Sequence, residues 1–279
     1  MKSGDVIFLS ASVPDRKPWT DDAQPIEIEE GIISVARAVF ARKGRLLFGG
    51  HPSVSPLVSA VAGEYYPADH ARVQRPVVTF QSRLFEESLP DETTELFTMG
   101  WSDIEWTERR QTRELSLALM RDLMLPKPGV PVAAFDRNEL ALPLAMIAIG
   151  GMEGIRDEAA VFLSRQQTWG GPQRRVFSFK SAGGAAARLI APAIEKLWPP
   201  PQDERSPAVD PAAIERDFPM LRRAWERGDI VDAETAWQAS HPGLDFPEDA
   251  RFQPYAAIAQ WLLDTQLEPR PEQPGPRAH

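Results

Sequence analysis

Short apolar runs separated by stretches of helical periodicity constrain this sequence more than any other feature. Along the first two thirds of the chain they are DVIFLSA (5–11), GRLLFGG (44–50), PVVTFQS (76–82), PVAAFD (131–136), PLAMIAIGG (143–151) and RRVFSFKS (174–181). Most are too apolar to be half-exposed, and continuous Val, Ile, Leu and Phe suit strands covered on both faces. Alternation with helices then predicts an α/β fold, a mostly parallel sheet with helices on both faces.

The helices are read from their apolar stripes. Residues 27–42 place Ile28, Ile32, Val35, Ala36, Val39 and Phe40 on one face, with Gly44 as a stop. Ser55 is expected to cap a helix that has Pro56 at its first position. Leu115, Leu119 and Leu123 recur every four residues over 108–124; Ile155, Ala159, Phe162 and Leu163 form the next stripe. A further helix behind Ser181 turns Leu189, Ala193 and Leu197 inward. The segment 83–107 fits neither pattern.

Composition shifts at WPPPQDERSP (198–207), whose prolines and charges read as a linker. The expected organisation is a ligand-binding α/β domain over 1–197, a linker over 198–209, a small helical segment over 210–266 and a disordered tail over 267–279. Asp210 and Asp229 are expected to open two of the C-terminal helices, which carry Ile214, Leu221, Trp225, Val231, Trp237, Ile258, Trp261 and Leu262.

Charge and cysteine content narrow the function. A net charge of −9 counts against a protein that coats nucleic acid, which needs clustered Lys and Arg. The absence of cysteine excludes disulfides, thiolate metal sites and a cysteine nucleophile, and fits a reducing cytoplasm. Four histidines without H-x-x-x-H spacing offer no metal set. No run approaches the roughly 20 apolar residues of a membrane span, and the N-terminal stretch turns charged too soon for a signal peptide. The expectation is a soluble, cytoplasmic protein without a resident cofactor or membrane partner.

In an open parallel sheet, ligands bind beyond the carboxyl ends of the strands. Those ends here carry Ser10, Ala11 and Ser12; Gly49, Gly50, His51 and Ser53; Gln81, Ser82 and Arg83; Gly150, Gly151, Met152 and Gly154; and Gly183 and Gly184. Three glycine pairs each precede a helix, and a helix N-terminus that a ligand can approach across bare backbone seats anions, phosphate above all. Neither G-x-G-x-x-G nor G-x-x-x-x-G-K-[ST] occurs. Arg83 is the candidate cationic arm, with a solvated arginine as its alternative. Glu158, early in the helix after Gly154, either works as a catalytic carboxylate or accepts from ribose hydroxyls, or is a first-turn acid favoured by the helix dipole.

FLSASVP, LLFGGHPSVSPLV and AIGGMEGIRDEAAVF together resemble the SLOG superfamily, the Rossmann-like group that includes the DNA-processing DprA/SMF proteins and the LOG phosphoribohydrolases. The resemblance spans roughly residues 5–197. It implies a nucleotide-derived ligand held by the double-glycine loops, self-association into a homo-oligomer, and kinship with sensory modules that bind ADP-ribose-type signals in bacterial defence beside a separately encoded effector. The LOG pattern P-G-G-x-G-T-x-x-E is matched at Gly150, Gly151, Gly154 and Glu158, but Ile149 stands for its proline, Ile155 for its threonine, and an extra residue separates the glycines. Those departures favour binding of an ADP-ribose-type or cyclic nucleotide over N-glycosidic hydrolysis by Glu158 and Arg83, which is the alternative. A DprA-like nucleic-acid adaptor fits least, given the acidic balance.

Overall fold

The computed structural model describes residues 1–69, 74–125, 127, 142–169, 173–202, 210–243 and 254–267. Seven parallel strands form one sheet: β1 (Val6–Ser12), β2 (Arg45–Phe48), β3 (Val77–Ser82), β4 (Ser102–Thr107), β5 (Ala145–Gly150), β6 (Arg175–Phe179) and β7 (Ile230–Asp232). Their order is β4-β3-β2-β1-β5-β6-β7. The chain walks outward from β1 to β4, returns to lay β5 against β1, and walks out the other way. The order therefore reverses between β1 and β5, where Ser10 stands level with Ala148 and Ser12 with Gly150. This is the Rossmann-like arrangement, and a ligand crevice opens at such a switch point.

Two apolar layers flank the sheet. One packs α1 (Pro25–Ala41), α2 (Ser55–Tyr65), α3 (Asp91–Thr98), α9 (Ala233–Ser240) and α10 (Tyr255–Trp261) around Ile32, Phe48, Phe179 and Trp237. The other packs α4 (Arg113–Met124), α5 (Glu153–Trp169), α6 (Gly184–Leu189), α7 (Ile194–Leu197) and α8 (Pro211–Glu226) around Phe8, Phe80, Phe162 and Leu221. Among the described residues no helix is long and apolar enough to cross a membrane.

Five of the expected strands form as read; PVAAFD lies outside the described residues. The stretch 83–107 supplies α3 and the edge strand β4, whose middle residues are only half-buried. The C-terminal segment is not purely helical: Ile230–Asp232 pairs with β6, and Trp237, Tyr255 and Ile258 enter the same core as α1. Asp232, not Asp229, caps α9 by accepting from the Glu234 and Thr235 N–H groups; Asp229 is buried beside Arg227.

Three further expectations shift. The helix behind Ser181 breaks into α6 and α7 because Pro192 excludes the residue before it from the α region, and Ala191 takes φ 49°. The inward face of α4 is Ser116, Met120 and Met124, while Leu115 is exposed. Ser55 begins α2 without capping it; its hydroxyl accepts from Thr93 Oγ1 at 2.7 Å instead.

Candidate functional site

The strand-end residues do gather along one edge of the sheet, but their side chains divide into those that hold the loops and those left to meet a ligand. Gln81 is of the first kind. Its Nε2 donates to the Gly50 carbonyl at 3.2 Å and its Oε1 accepts from the Ser82 N–H at 3.0 Å, which ties the end of β2 to the end of β3. Gly50 must be glycine: at φ 60°, a Cβ would lie 3.0 Å from Thr79 Cγ2. Ser82 caps a 3-10 turn by accepting from the Leu84 N–H. Arg83 is half-exposed, donates to Glu86 Oε1 at 2.7 Å and lies over the Trp106 ring, so it is the solvated arginine of the two sequence alternatives.

Ser53 joins the loop after β2 to the end of β1 by accepting from the Val13 N–H at 3.0 Å. His51 Nδ1 accepts from the Ser53 N–H at 3.2 Å and lies 2.9 Å from the Ser53 hydroxyl. An Nδ1 that accepts is unprotonated, so the ring proton sits on Nε2. Burial pushes the His51 imidazole below the usual histidine range; Asp15 opposes the shift and Arg113 adds to it. His51 is thus a neutral Nε2–H donor.

The switch point itself is built from Ser10, Ser12, the Gly150–Gly151 turn and the start of α5. Both glycines have positive φ, 59° and 73°, and the Gly151 N–H donates to the Ser12 carbonyl at 2.7 Å, locking the turn to β1. Ala11 packs against the core beside them. The N–H groups of Met152, Glu153 and Gly154 have no acceptor among the described residues, as the first turn of a helix leaves them. Below this turn, Ser10 Oγ donates to Glu158 Oε2 at 2.5 Å. The Glu158 side chain is 14% exposed, and its other oxygen lies 3.5 Å from Arg121 Nε, a charge contact without hydrogen-bond geometry. Burial raises the Glu158 pKa; the Arg121 charge and the Ser10 hydrogen bond work against that rise, and Asp157 reinforces it. Glu158 is therefore not the surface first-turn acid of the sequence alternatives.

Gly183 and Gly184 do something else. Their φ angles, 70° and 61°, let the backbone pass so close that a Cβ on Gly183 would sit 2.0 Å from the Asp22 carbonyl oxygen, and one on Gly184 2.7 Å from that of Gly151. The Gly184 N–H donates to Asp22 Oδ1 at 3.3 Å and the Ala185 N–H to the Gly151 carbonyl at 2.9 Å. A carboxylate of the chain already occupies this helix end, so the third glycine pair is a packing turn rather than an anion cradle. Sequence reading missed Asp22, Arg121 and Arg16, because each meets its partner only through the fold. Among the described residues no cluster of His, Asp and Glu is placed to hold a metal ion.

Comparisons with known proteins place the chain in a family. A family model described as the SLOG cluster3 family matches residues 18–197. The chain belongs to the SLOG cluster3 family. No curated protein matches. Among solved structures, the X-ray structure of TM1055, a Northeast Structural Genomics Consortium target, is similar at 13% identity and a TM-score of 0.40, covering 79% of this chain and 99% of that one. The SLOG match ends before Trp198, so α8, β7, α9 and α10 lie beyond it.

Proposed function

We propose that this protein is a sensor that binds a nucleotide-derived ligand, of ADP-ribose type or a cyclic nucleotide, at the carboxyl ends of β1 and β5. The observation that carries the reading is the Glu158 carboxylate, held by Ser10 directly beneath a helix start with bare glycine backbone and unpaired N–H groups. Such N–H groups match phosphate oxygens, and a buried carboxylate matches ribose hydroxyls. His51 supplies a neutral donor on the β2 side. Sensing rather than turnover is favoured because both Glu158 oxygens are engaged, one by Ser10 and one by the Arg121 charge. A separately encoded effector and a homo-oligomeric state belong to the same proposal, by family resemblance.

One observation favours a second reading. The raised pKa of Glu158 is the property of a general acid, and an N-glycosidase would use it against the bond between base and ribose. Titration calorimetry with ADP-ribose, its cyclic forms, NAD and AMP, followed by chromatography of each mixture, separates the two. Saturable heat with intact nucleotide supports the sensor. Free base released by the wild type and not by Glu158→Gln establishes the enzyme, and absence of heat from every ligand removes both.

A further inference from the structure

Helix α10 begins at Tyr255, beyond the family-matched residues, and this side chain is buried in the family fold. Its ring lies 5.5 Å from that of Phe179 and close against Gly31 of α1. The phenol hydroxyl ends among polar side chains from three other parts of the molecule. They are Ser181 after β6, Glu234 in the first turn of α9 and Glu27 in the first turn of α1.

The hydrogen bonds of this group are one proton short. The Ser181 N–H donates to both Glu234 oxygens, at 3.2 and 3.1 Å. Ser181 Oγ also meets Glu234 Oε1 on one side and the Tyr255 hydroxyl on the other. Glu27 Oε2 is buried without a hydrogen-bond partner among the described residues, although its carboxylate faces the Tyr255 phenol. Burial first, then the Glu27 and Glu234 charges, raise the Tyr255 pKa and keep the phenol protonated, against the Ser181 hydrogen bond. A hydroxyl has one proton to give. With both carboxylates ionised, Ser181 gives its proton to Glu234 and Tyr255 gives its own to Ser181. Nothing is left for Glu27, and a buried acceptor without a donor costs free energy.

One more proton, on Glu234 Oε1, reverses the row. Glu234 then donates to Ser181 Oγ, Ser181 to the Tyr255 oxygen, and Tyr255 to Glu27, while Glu234 Oε2 keeps the Ser181 N–H. Every oxygen of the group is paired. The surroundings favour this uptake near neutrality: burial and the Asp232 charge lift the Glu234 carboxyl to about 6, against the Ser181 hydrogen bonds and the Lys180 charge.

We propose that Glu234, Ser181, Tyr255 and Glu27 form a one-proton latch between the C-terminal segment and the family fold. With the proton bound, an unbroken row of hydrogen bonds ties α9 and α10 to α1. With the proton lost, the row breaks at Glu27 and α10 is held less firmly. Because the folded chain binds this proton more tightly than the unfolded chain, the added hold is present at low pH and fades as pH rises through about 6.

The chain has three tyrosines, Tyr65, Tyr66 and Tyr255, so the phenol itself can report. The full chain is labelled with ¹³Cζ-tyrosine and followed by NMR from about pH 4.5 to about pH 8, with Tyr255→Phe identifying the Tyr255 signal by its loss. A one-proton step of that signal near pH 6 is expected, absent in Glu234→Gln and in Ser181→Ala. In Glu27→Gln the proton is held about tenfold more weakly, the loss of one hydrogen bond to a charged group, so the step moves about one pH unit lower. Amide exchange in α10, corrected for its intrinsic pH dependence, quickens as the proton leaves. A Tyr255 signal without a step, a step that survives Glu234→Gln or Ser181→Ala, a midpoint unmoved in Glu27→Gln, or α10 exchange that stays constant through the step overturns the proposal. If Ser181→Ala does not fold, the isosteric Glu27→Gln still decides. No nucleotide is present in this experiment, so failure here and failure of the sensor reading are separate results.

Discussion

The Gly150–Gly151 and Gly183–Gly184 turns share a composition, a place at strand ends and positive φ angles, and they touch each other through the Ala185 N–H and the Gly151 carbonyl. One is shut and the other is not. At the end of β6 the chain supplies its own anion, Asp22, to the start of α6, and Glu234 accepts from the Ser181 N–H beside it. At the end of β5 no carboxylate among the described residues accepts from the helix start: Glu153 is paired with Arg16, and Glu158 lies beneath on Ser10. Glycine at a strand end thus marks close backbone approach; whether what approaches is the chain or a ligand depends on residues far away in sequence.

Alanine at the two turns gives the largest expected contrast. In Gly183→Ala the new Cβ meets backbone at 2.0 Å, in a φ region that L-residues avoid. We expect destabilisation of about 3 kcal/mol or more by chemical denaturation. In Gly151→Ala the nearest atoms are Cδ1 and Cγ1 of the Ile155 side chain rather than backbone, so the loss falls to about 1–2 kcal/mol while nucleotide binding disappears. Equal losses at the two positions would erase the distinction drawn here.

A smaller effect tests how the closed end is sealed. Burial lifts the Glu234 carboxyl from its ordinary 4.5 to about 6, against the hydrogen bonds from Ser181. The folded chain then binds more protons than the unfolded chain between those values, so stability falls as pH rises from about 4.5 to about 6. The amount is about 2 kcal/mol for a shift of that size. Glu234→Gln should flatten this stretch of the pH profile, and a slope that survives the substitution would assign it to another group, Glu158 at the open end having a shift of the same direction. The smallest effect belongs to Arg83→Ala. An exposed ion pair is worth little, so stability should change by less than about 0.5 kcal/mol and ligand heat should stay the same. A lost ligand response there would extend the open site to the end of β3.

The sequence is legible where one local property decides the outcome. Continuous apolar runs mark the buried strands, and the stripe Ile28, Ile32, Val35, Ala36, Val39 and Phe40 is the buried face of α1. Legibility fails where neighbours decide. SDIEWT is half-polar because β4 is an edge strand, and IVD is too short to show a period before it pairs with β6. In α4 the leucines look like the core stripe, yet Met120 and Met124 take that place and leave Leu115 to solvent. At the site, Glu158 and the glycines were readable from position. Asp22, which closes one turn, and Arg121, which stands under the other, carry no motif at all.

The pairing of β7 with β6 has a consequence for how the chain is made. Strand β6 can join β5 as soon as both are synthesised, but its outer row of N–H and C=O groups has no strand beside it until Ile230–Asp232 arrive on the far side of α8. A nascent or clipped chain that stops short of β7 offers that row to any passing strand, the usual first step towards aggregation. Three residues at the sheet margin therefore decide whether that edge is closed before it can pair with a strand of another copy.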